Sequence, residues 1–287
     1  MGTVQFGQDY GIANKNGKVP PSEVVEILDY ARSVGINSLD TAFAYGESET
    51  VIGGYLREKP DRFKIVSKCP PLEQYRSGKA EEFLEQSFQR LGIKKLYGYL
   101  LHRSSDIFKY DDLWNELVRF KKKGKVEKIG FSLYSPDGLI SLLDRGIDFD
   151  IVQVPYSIFD RRFEKYFDLL KRKGKEIQAR SVFLQGLAFL ELEDLPASLL
   201  TAKPQLKNLR LIARERNITH EAICLNFVLI NRYIDKVIIG VDSLAQIKSN
   251  VASIDFMDNV REVYGQLSGI KIEQEDILLP YKWANAA

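Results

Sequence analysis

At 287 residues the chain has the length of two average domains or of one α/β barrel, and length alone does not separate these. Its 41 Lys and Arg against 39 Asp and Glu leave a formal charge of +2, without the concentrated positive field that would draw nucleic acid or an anionic membrane surface. With 45% hydrophobic and 28% charged residues the chain can fill a large core and stay soluble, which excludes disorder as its main state.

From the start, MGTVQFGQDYG has no cationic segment ahead of an apolar core, so no signal peptide is expected. Short apolar runs then alternate with longer amphipathic stretches. Strands are expected at 2–6, 36–40, 63–68, 97–102, 128–133, 150–154, 176–181 and 236–240. Helices are expected between them at 21–34, 48–57, 79–91, 111–123, 136–145, 161–173 and across 204–231, then at 243–250 and 257–268 after the eighth strand. Ser22 and Asp111 are suitable caps, and Gly35, Gly92, Gly124 and Gly174 are suitable stops. The apolar stretch 222–230 is about half the length a bilayer span needs. Cys69 and Cys224 are too few and too far apart for a disulfide framework, so a reducing, cytoplasmic setting is expected.

Eight strand–helix units of about 30 residues match a (β/α)₈ barrel, a TIM barrel, whose strands are buried on both faces and read as apolar runs. A doubly wound sheet would need a break, yet no Pro/Gly/Ser-rich linker interrupts residues 36–250. Residues 1–287 are therefore expected to form one domain, with 268–287 a short tail at the barrel mouth. Barrel chemistry comes from the C-terminal ends of the strands. That filter selects Asp40, Lys68, His102, Ser132, Gln153, Arg180 and Ser181. Charged groups at inner strand ends are costly unless paired or used, so their convergence is hard to ascribe to packing.

LDTAFAYG at 39–46, IVSKCP at 65–70 and YLLHRSS at 99–105 together resemble the signature segments of the aldo-keto reductase superfamily. The likeness extends to the opening Gly-Thr, to IVQVPYS around Gln153 and to IIGVDSLAQIKSN at 238–250. It implies a catalytic tetrad of Asp40, Tyr45, Lys68 and His102. Tyr45 would be the general acid/base, with Lys68 lowering its pKa, Asp40 holding Lys68 charged, and His102 orienting the carbonyl. It also implies a nicotinamide dinucleotide, bound without a Rossmann glycine fingerprint. Ser132 and Gln153 would meet the nicotinamide amide, Gly2 and Thr3 its ribose, and Ser181 to Gly186, Gln185 included, the pyrophosphate. Gly240 to Asn250, including Gln246, would carry the adenosine, with Asn250 at the adenine.

Two departures stand out. The fifth strand ends Ser132-Leu133 where many members have Ser-Asn, and Arg180 occupies the place of an aromatic that stacks on the nicotinamide. A guanidinium can stack by its planar face or bind an anion, and the sequence leaves both readings open. Family habit favours NADP(H), although Gly240 and Gln246 supply no cation for a 2′-phosphate and only Lys248 is nearby, so NAD(H) stays a live alternative. Tyr10, Tyr134 and Phe183, with the tail around Tyr281 and Trp283, are expected to line a substrate pocket; no metal site is expected.

The resulting expectation is an NADP(H)-dependent reductase of aldehydes or ketones, sugar-like ones included, working on a small carbonyl or alcohol substrate with no nucleic-acid or membrane partner. Alternatives are an NAD(H)-dependent alcohol or sugar dehydrogenase, a non-catalytic cofactor-binding regulatory subunit, and a barrel lyase with a Schiff base on Lys68. The sequence does not indicate an oligomeric state.

Overall fold

A computed structural model describes residues 1–60, 63–74 and 76–285. Its sheet consists of β1 Ser38–Asp40, β2 Lys64–Cys69, β3 Leu96–Leu101, β4 Val126–Ser132, β5 Ile151–Pro155, β6 Glu176–Arg180 and β7 Lys236–Val237. Each strand pairs in parallel with the next in chain order. The ring is closed by a single residue: Gly2 bridges Asp40 on one side and Gly240 on the other, both in parallel. The Gly2 N–H donates to the Ile239 carbonyl at 2.8 Å and the Thr3 N–H to that of Asp40 at 3.0 Å. The chain is thus one (β/α)₈-type barrel.

The expected first strand at 2–6 is corrected to that one stave residue, and the expected eighth strand shortens to two residues and the Gly240 bridge. Val4–Phe6 instead turn as a 3₁₀ helix that buries Val4 and Phe6. Gly7 explains why the chain leaves the ladder here: a β-carbon on it would sit 1.9 Å from the Tyr45 carbonyl oxygen, so the two loops touch backbone to backbone.

The helices follow the sequence periodicity, except that the one expected at 161–173 shortens to Phe167–Arg172 behind a 3₁₀ turn at Glu164–Tyr166, and Ser22, expected as a cap, lies inside the first helix. They are α1 Pro21–Ser33, α2 Ser48–Glu58, α3 Lys79–Leu91, α4 Leu113–Lys122, α5 Pro136–Asp144 and α6 Phe167–Arg172. In α3 the buried Leu84, Phe88 and Leu91 recur at helical spacing on one face, and Gly92 ends it in the left-handed region. The stretch expected at 204–231 divides into α7 Lys203–Arg216 and α8 His220–Leu229. Asn217 takes a left-handed φ of 52°, and the Thr219 hydroxyl then caps α8 by accepting from the Ala222 N–H at 3.1 Å. After β7 come α9 Leu244–Ala252, α10 Met257–Leu267 and α11 Glu275–Leu278. The tail ends in a 3₁₀ turn at 280–285 that brings Tyr281 to the mouth. Trp283, expected there too, turns its indole N–H to the Ile277 carbonyl. Both cysteines are buried and free, and among the described residues no helix is long and apolar enough to cross a membrane.

Candidate active site

The ends of β1, β2 and β3 converge at one rim of the barrel. Lys68 is fully buried, and its ammonium donates to Asp40 Oδ2 at 2.8 Å, to the Thr41 carbonyl at 2.8 Å and, weakly, to Tyr45 Oη at 3.4 Å. The other Asp40 oxygen accepts from Gln153 Nε2 at 2.7 Å. Tyr45 stands in a turn, its N–H bonded to the Ala42 carbonyl and its own carbonyl accepting from the Ser48 N–H. The His102 ring meets that of Tyr45 edge to face, centroids 5.8 Å apart. The four residues selected from the sequence therefore share one site.

Burial holds His102 down at about 3, helped by the positive charges of Lys68 and Arg180, so the imidazole is neutral across the physiological range. Its Nδ1 is buried without a partner. Burial also lowers Lys68, only partly offset by Asp40. The net lowering of the Tyr45 pKa that was expected from Lys68 is outweighed. Burial first, then the Asp40 carboxylate, raise the phenol above its ordinary value. Lys68, paired with Asp40 at 2.8 Å and only 3.4 Å from Tyr45 Oη, does not offset this. Tyr45 is accordingly a neutral phenol, a group that holds a proton ready to give.

The sequence profile described as Aldo/keto reductase family matches residues 1–272. The chain belongs to the aldo/keto reductase family. It is 29% identical over 199 residues to an NADH-specific methylglyoxal reductase of Escherichia coli K12, an overlap of 60% of either chain. It is 25% identical over 289 residues to the L-galactose dehydrogenase of Arabidopsis thaliana, covering 93% of this chain and 87% of that one. Among solved structures, an aldo-keto reductase of Bacillus halodurans superposes with a TM-score of 0.74 at 22% identity, over 96% of this chain and 93% of that one. The family is one of NAD(P)H-dependent oxidoreductases.

In this aldo/keto reductase Asp40, Tyr45 and His102 border a cavity of about 610 Å³, ample for a small-molecule site, with Lys68 buried behind them. Of the residues expected to bind cofactor or substrate, Gly2, Thr3, Asp40, Ser132, Arg180, Ser181, Gln185, Gly186, Gly240 and Gln246 border it, as do Tyr10, Tyr134 and Phe183. Gln153 and Asn250 do not. Gln153 Nε2 is spent on Asp40, but its Oε1 is buried with no partner. Asn250, one helical turn past Gln246, is buried with both amide atoms unpartnered. Unpaired buried amides are costly, and a nucleotide's amide and base edges are groups that could satisfy them. The chain thus fits a nicotinamide dinucleotide.

The loop after β6 takes left-handed backbone at Ser181, Leu184, Gln185 and Gly186. At Gly186 a β-carbon would lie 2.8 Å from that of Ala13, so glycine lets the loops after Gly2 and after β6 meet over the cavity. The Ile12 N–H donates to the Gln185 carbonyl, and Gln185 Nε2 to the Tyr10 hydroxyl at 2.7 Å. Asp242, within the segment expected at the adenosine, also borders the cavity, as does Gln5, which was not foreseen. Gln5 lies within the expected strand at 2–6, which turns as a 3₁₀ helix instead, and its Oε1 is unpartnered. A second cavity of about 390 Å³ shares His102, Ser132, Tyr134 and Tyr281 with the first.

Proposed function

We propose that this protein reduces the carbonyl of a small aldehyde or ketone to an alcohol, with NAD(H) as the nicotinamide. The observation that carries the reading is one buried lysine reaching both Asp40 and the Tyr45 hydroxyl, with a neutral histidine against the same ring. A bound nicotinamide supplies the hydride. Tyr45 gives its proton to the developing alkoxide, and Lys68, fixed by Asp40 and the Thr41 carbonyl, stabilises the phenolate left behind. His102 hydrogen-bonds the carbonyl oxygen and cannot compete as a cation at neutral pH. Lys68 is fully buried and triply bonded, which disfavours it as a Schiff-base nucleophile.

Gln153 Oε1 and Ser132 would receive the nicotinamide amide, Gly2 and Thr3 the ribose, and Ser181, Gln185 and Gly186 the pyrophosphate. Gln246 and Asn250 would hold the adenosine beside Gly240. Tyr10, Tyr134 and Phe183 would contact substrate. NAD(H) is read in place of the expected NADP(H) because the adenosine end presents Asp242 and Gln246, whereas Lys248 lies over Tyr30 with its ammonium 5.7 Å from the ring centroid. A carboxylate repels a 2′-phosphate and can accept from a 2′-hydroxyl. Fluorescence titration with NADH and NADPH checks this, and tighter NADPH binding would overturn it. Oxidation of NADH with a panel of aldehydes, ketoses, sugar phosphates and 2-oxo acids tests the activity. Cofactor binding with no turnover of any member would favour the regulatory-subunit reading instead.

A further inference from the structure

Lining the same cavity as Tyr45 and His102 is a cation that the chemistry above does not use. Arg180 closes β6, and its guanidinium is held on three sides. One amino group donates to the Leu133 carbonyl at 2.9 Å and the other to the Ser181 hydroxyl at 3.0 Å, while its carbon lies 4.4 Å from the centroid of the Tyr134 ring. These anchors fix the group before any ligand arrives, so little side-chain entropy remains to be lost on binding. None of the anchors is an anion. Of the acids bordering the cavity, Asp40 is committed to Lys68 and Gln153, and Asp242 accepts from the Ser243 hydroxyl beside Gln246. No carboxylate among the described residues pairs with Arg180, and its charge is felt at Tyr45, Tyr10 and His102. A planar guanidinium with N–H donors to spare matches a carboxylate or phosphate in shape as well as in sign.

We propose that Arg180 selects substrates whose carbonyl is accompanied, a few bonds away, by an anionic group. The inference rests on the reductase reading and narrows it to a substrate class. Matched pairs test it: succinic semialdehyde against butanal for a carboxylate, and glyceraldehyde 3-phosphate against glyceraldehyde for a phosphate. The wild-type protein is expected to favour the charged member of at least one pair, and which pair identifies the anion. Arg180→Gln should lower the ratio of kcat/KM for that member to kcat/KM for its neutral partner by about ten- to a hundredfold. Arg180→Lys should retain part of the preference. Raising the ionic strength from about 0.02 to 0.3 M should weaken only the charged member. Equal loss on both members, or weaker NADH binding in a fluorescence titration with the preference intact, would overturn the proposal. Calorimetry with succinate and inorganic phosphate separates this from failure of the reductase reading. Anion binding lost in Arg180→Gln supports the anion site even if no carbonyl turns over, and anion binding that survives the substitution sinks it.

Discussion

The barrel carries a lysine–carboxylate–tyrosine cluster at each end, and their chemistries differ. At the mouth are Lys68, Asp40 and Tyr45. At the opposite end Glu176, at the start of β6, accepts from Lys128 at 2.5 Å and from the Tyr97 hydroxyl, with Lys236 3.6 Å away. The inward face of β2 reads Lys64, Val66, Lys68, so the apolar Val66, Leu100 and Ile151 lie between the clusters. The lower cluster is closed: Glu176 also accepts from Gln178 at 2.7 Å, and lysines 64, 128 and 236 surround the Tyr97 ring. In the upper one the Tyr45 hydroxyl has only a 3.4 Å contact and His102 Nδ1 has none, and both residues border the cavity. The same residue types staple a barrel when every valence is filled and can react when some are left open to a ligand. This agrees with the division of barrels into a stabilising lower face and a reactive upper one.

Removing the open valence should have the largest effect. Tyr45→Phe is expected to lower carbonyl reduction by roughly 10²–10⁴, the usual contribution of a positioned acid, with NADH affinity unchanged. Steady-state rates and a fluorescence titration measure the two, and activity within about tenfold of wild type would remove Tyr45 from the acid's role. The kcat/KM profile should show no break near pH 6.5, because His102 is held down at about 3. Lys68→Met attacks the pair beneath. It leaves the Asp40 carboxylate, 8% exposed, facing Gln153 alone. Stripping one partner from a buried pair costs about 3–5 kcal/mol. Urea unfolding should show that loss, and adding Asp40→Asn should restore most of the stability without restoring turnover.

That contrast was only half legible in the sequence. The tetrad could be found because it sits where strands end and loops begin, and helix boundaries because buried apolar residues recur and glycines stop them. The lower cluster was missed because Lys64, Lys128, Glu176 and Lys236 stand at strand starts, where charges read as ordinary solvated caps. Nothing local shows that the ring closure turns all of them toward Tyr97. The closing residue itself was hidden for a related reason: one bridging glycine leaves no periodic signal, and the apolar run behind it reads as a strand. The site residues were found more readily than their states. Identity predicts that Lys68 meets Tyr45, but the net shift of the phenol is set by its burial and by the Asp40 charge, which no local pattern shows.

Glu176→Gln probes the closed cluster. Burial works against this carboxylate, but hydrogen bonds from Lys128, Tyr97 and Gln178 and the charge of Lys236 outweigh it and hold it at about 2. A folded pKa below the unfolded one means that the unfolded chain binds the proton more readily. The contribution is therefore complete above about pH 4.5 and is lost as the pH falls toward 2. With Lys128 about one-third exposed, water screens the pair, and the loss at neutral pH should be about 1–2 kcal/mol. Glu176→Gln should flatten the acid side of the stability curve measured by urea midpoints, and an unchanged curve would remove Glu176 as its source. Activity at pH 7 should stay near wild type, although the clusters are joined: Gln178 donates to Glu176, and Gln153 donates to both Gln178 and Asp40. Neutral amides orient their neighbours without carrying charge along the barrel, so a large rate change would show that this separation is wrong.

The smallest expected effect comes from the substitution that is largest at the other end. Tyr97→Phe deletes a phenol that donates to Glu176 and keeps the ring against Lys64, Lys128 and Lys236. Glu176 retains Lys128 and Gln178 as donors, so no charge is stranded. The loss should be that of one hydrogen bond, about 0.5–1.5 kcal/mol, with kcat and KM unchanged. Measured beside Tyr45→Phe, it isolates the variable that distinguishes the two ends. Both changes remove the same oxygen from beside a lysine and a carboxylate, and only at the mouth does that oxygen face a cavity where a carbonyl can sit. If Tyr97→Phe slowed turnover as much as Tyr45→Phe, the reactivity would belong to the barrel's charge network as a whole and not to an unfilled hydroxyl at its rim.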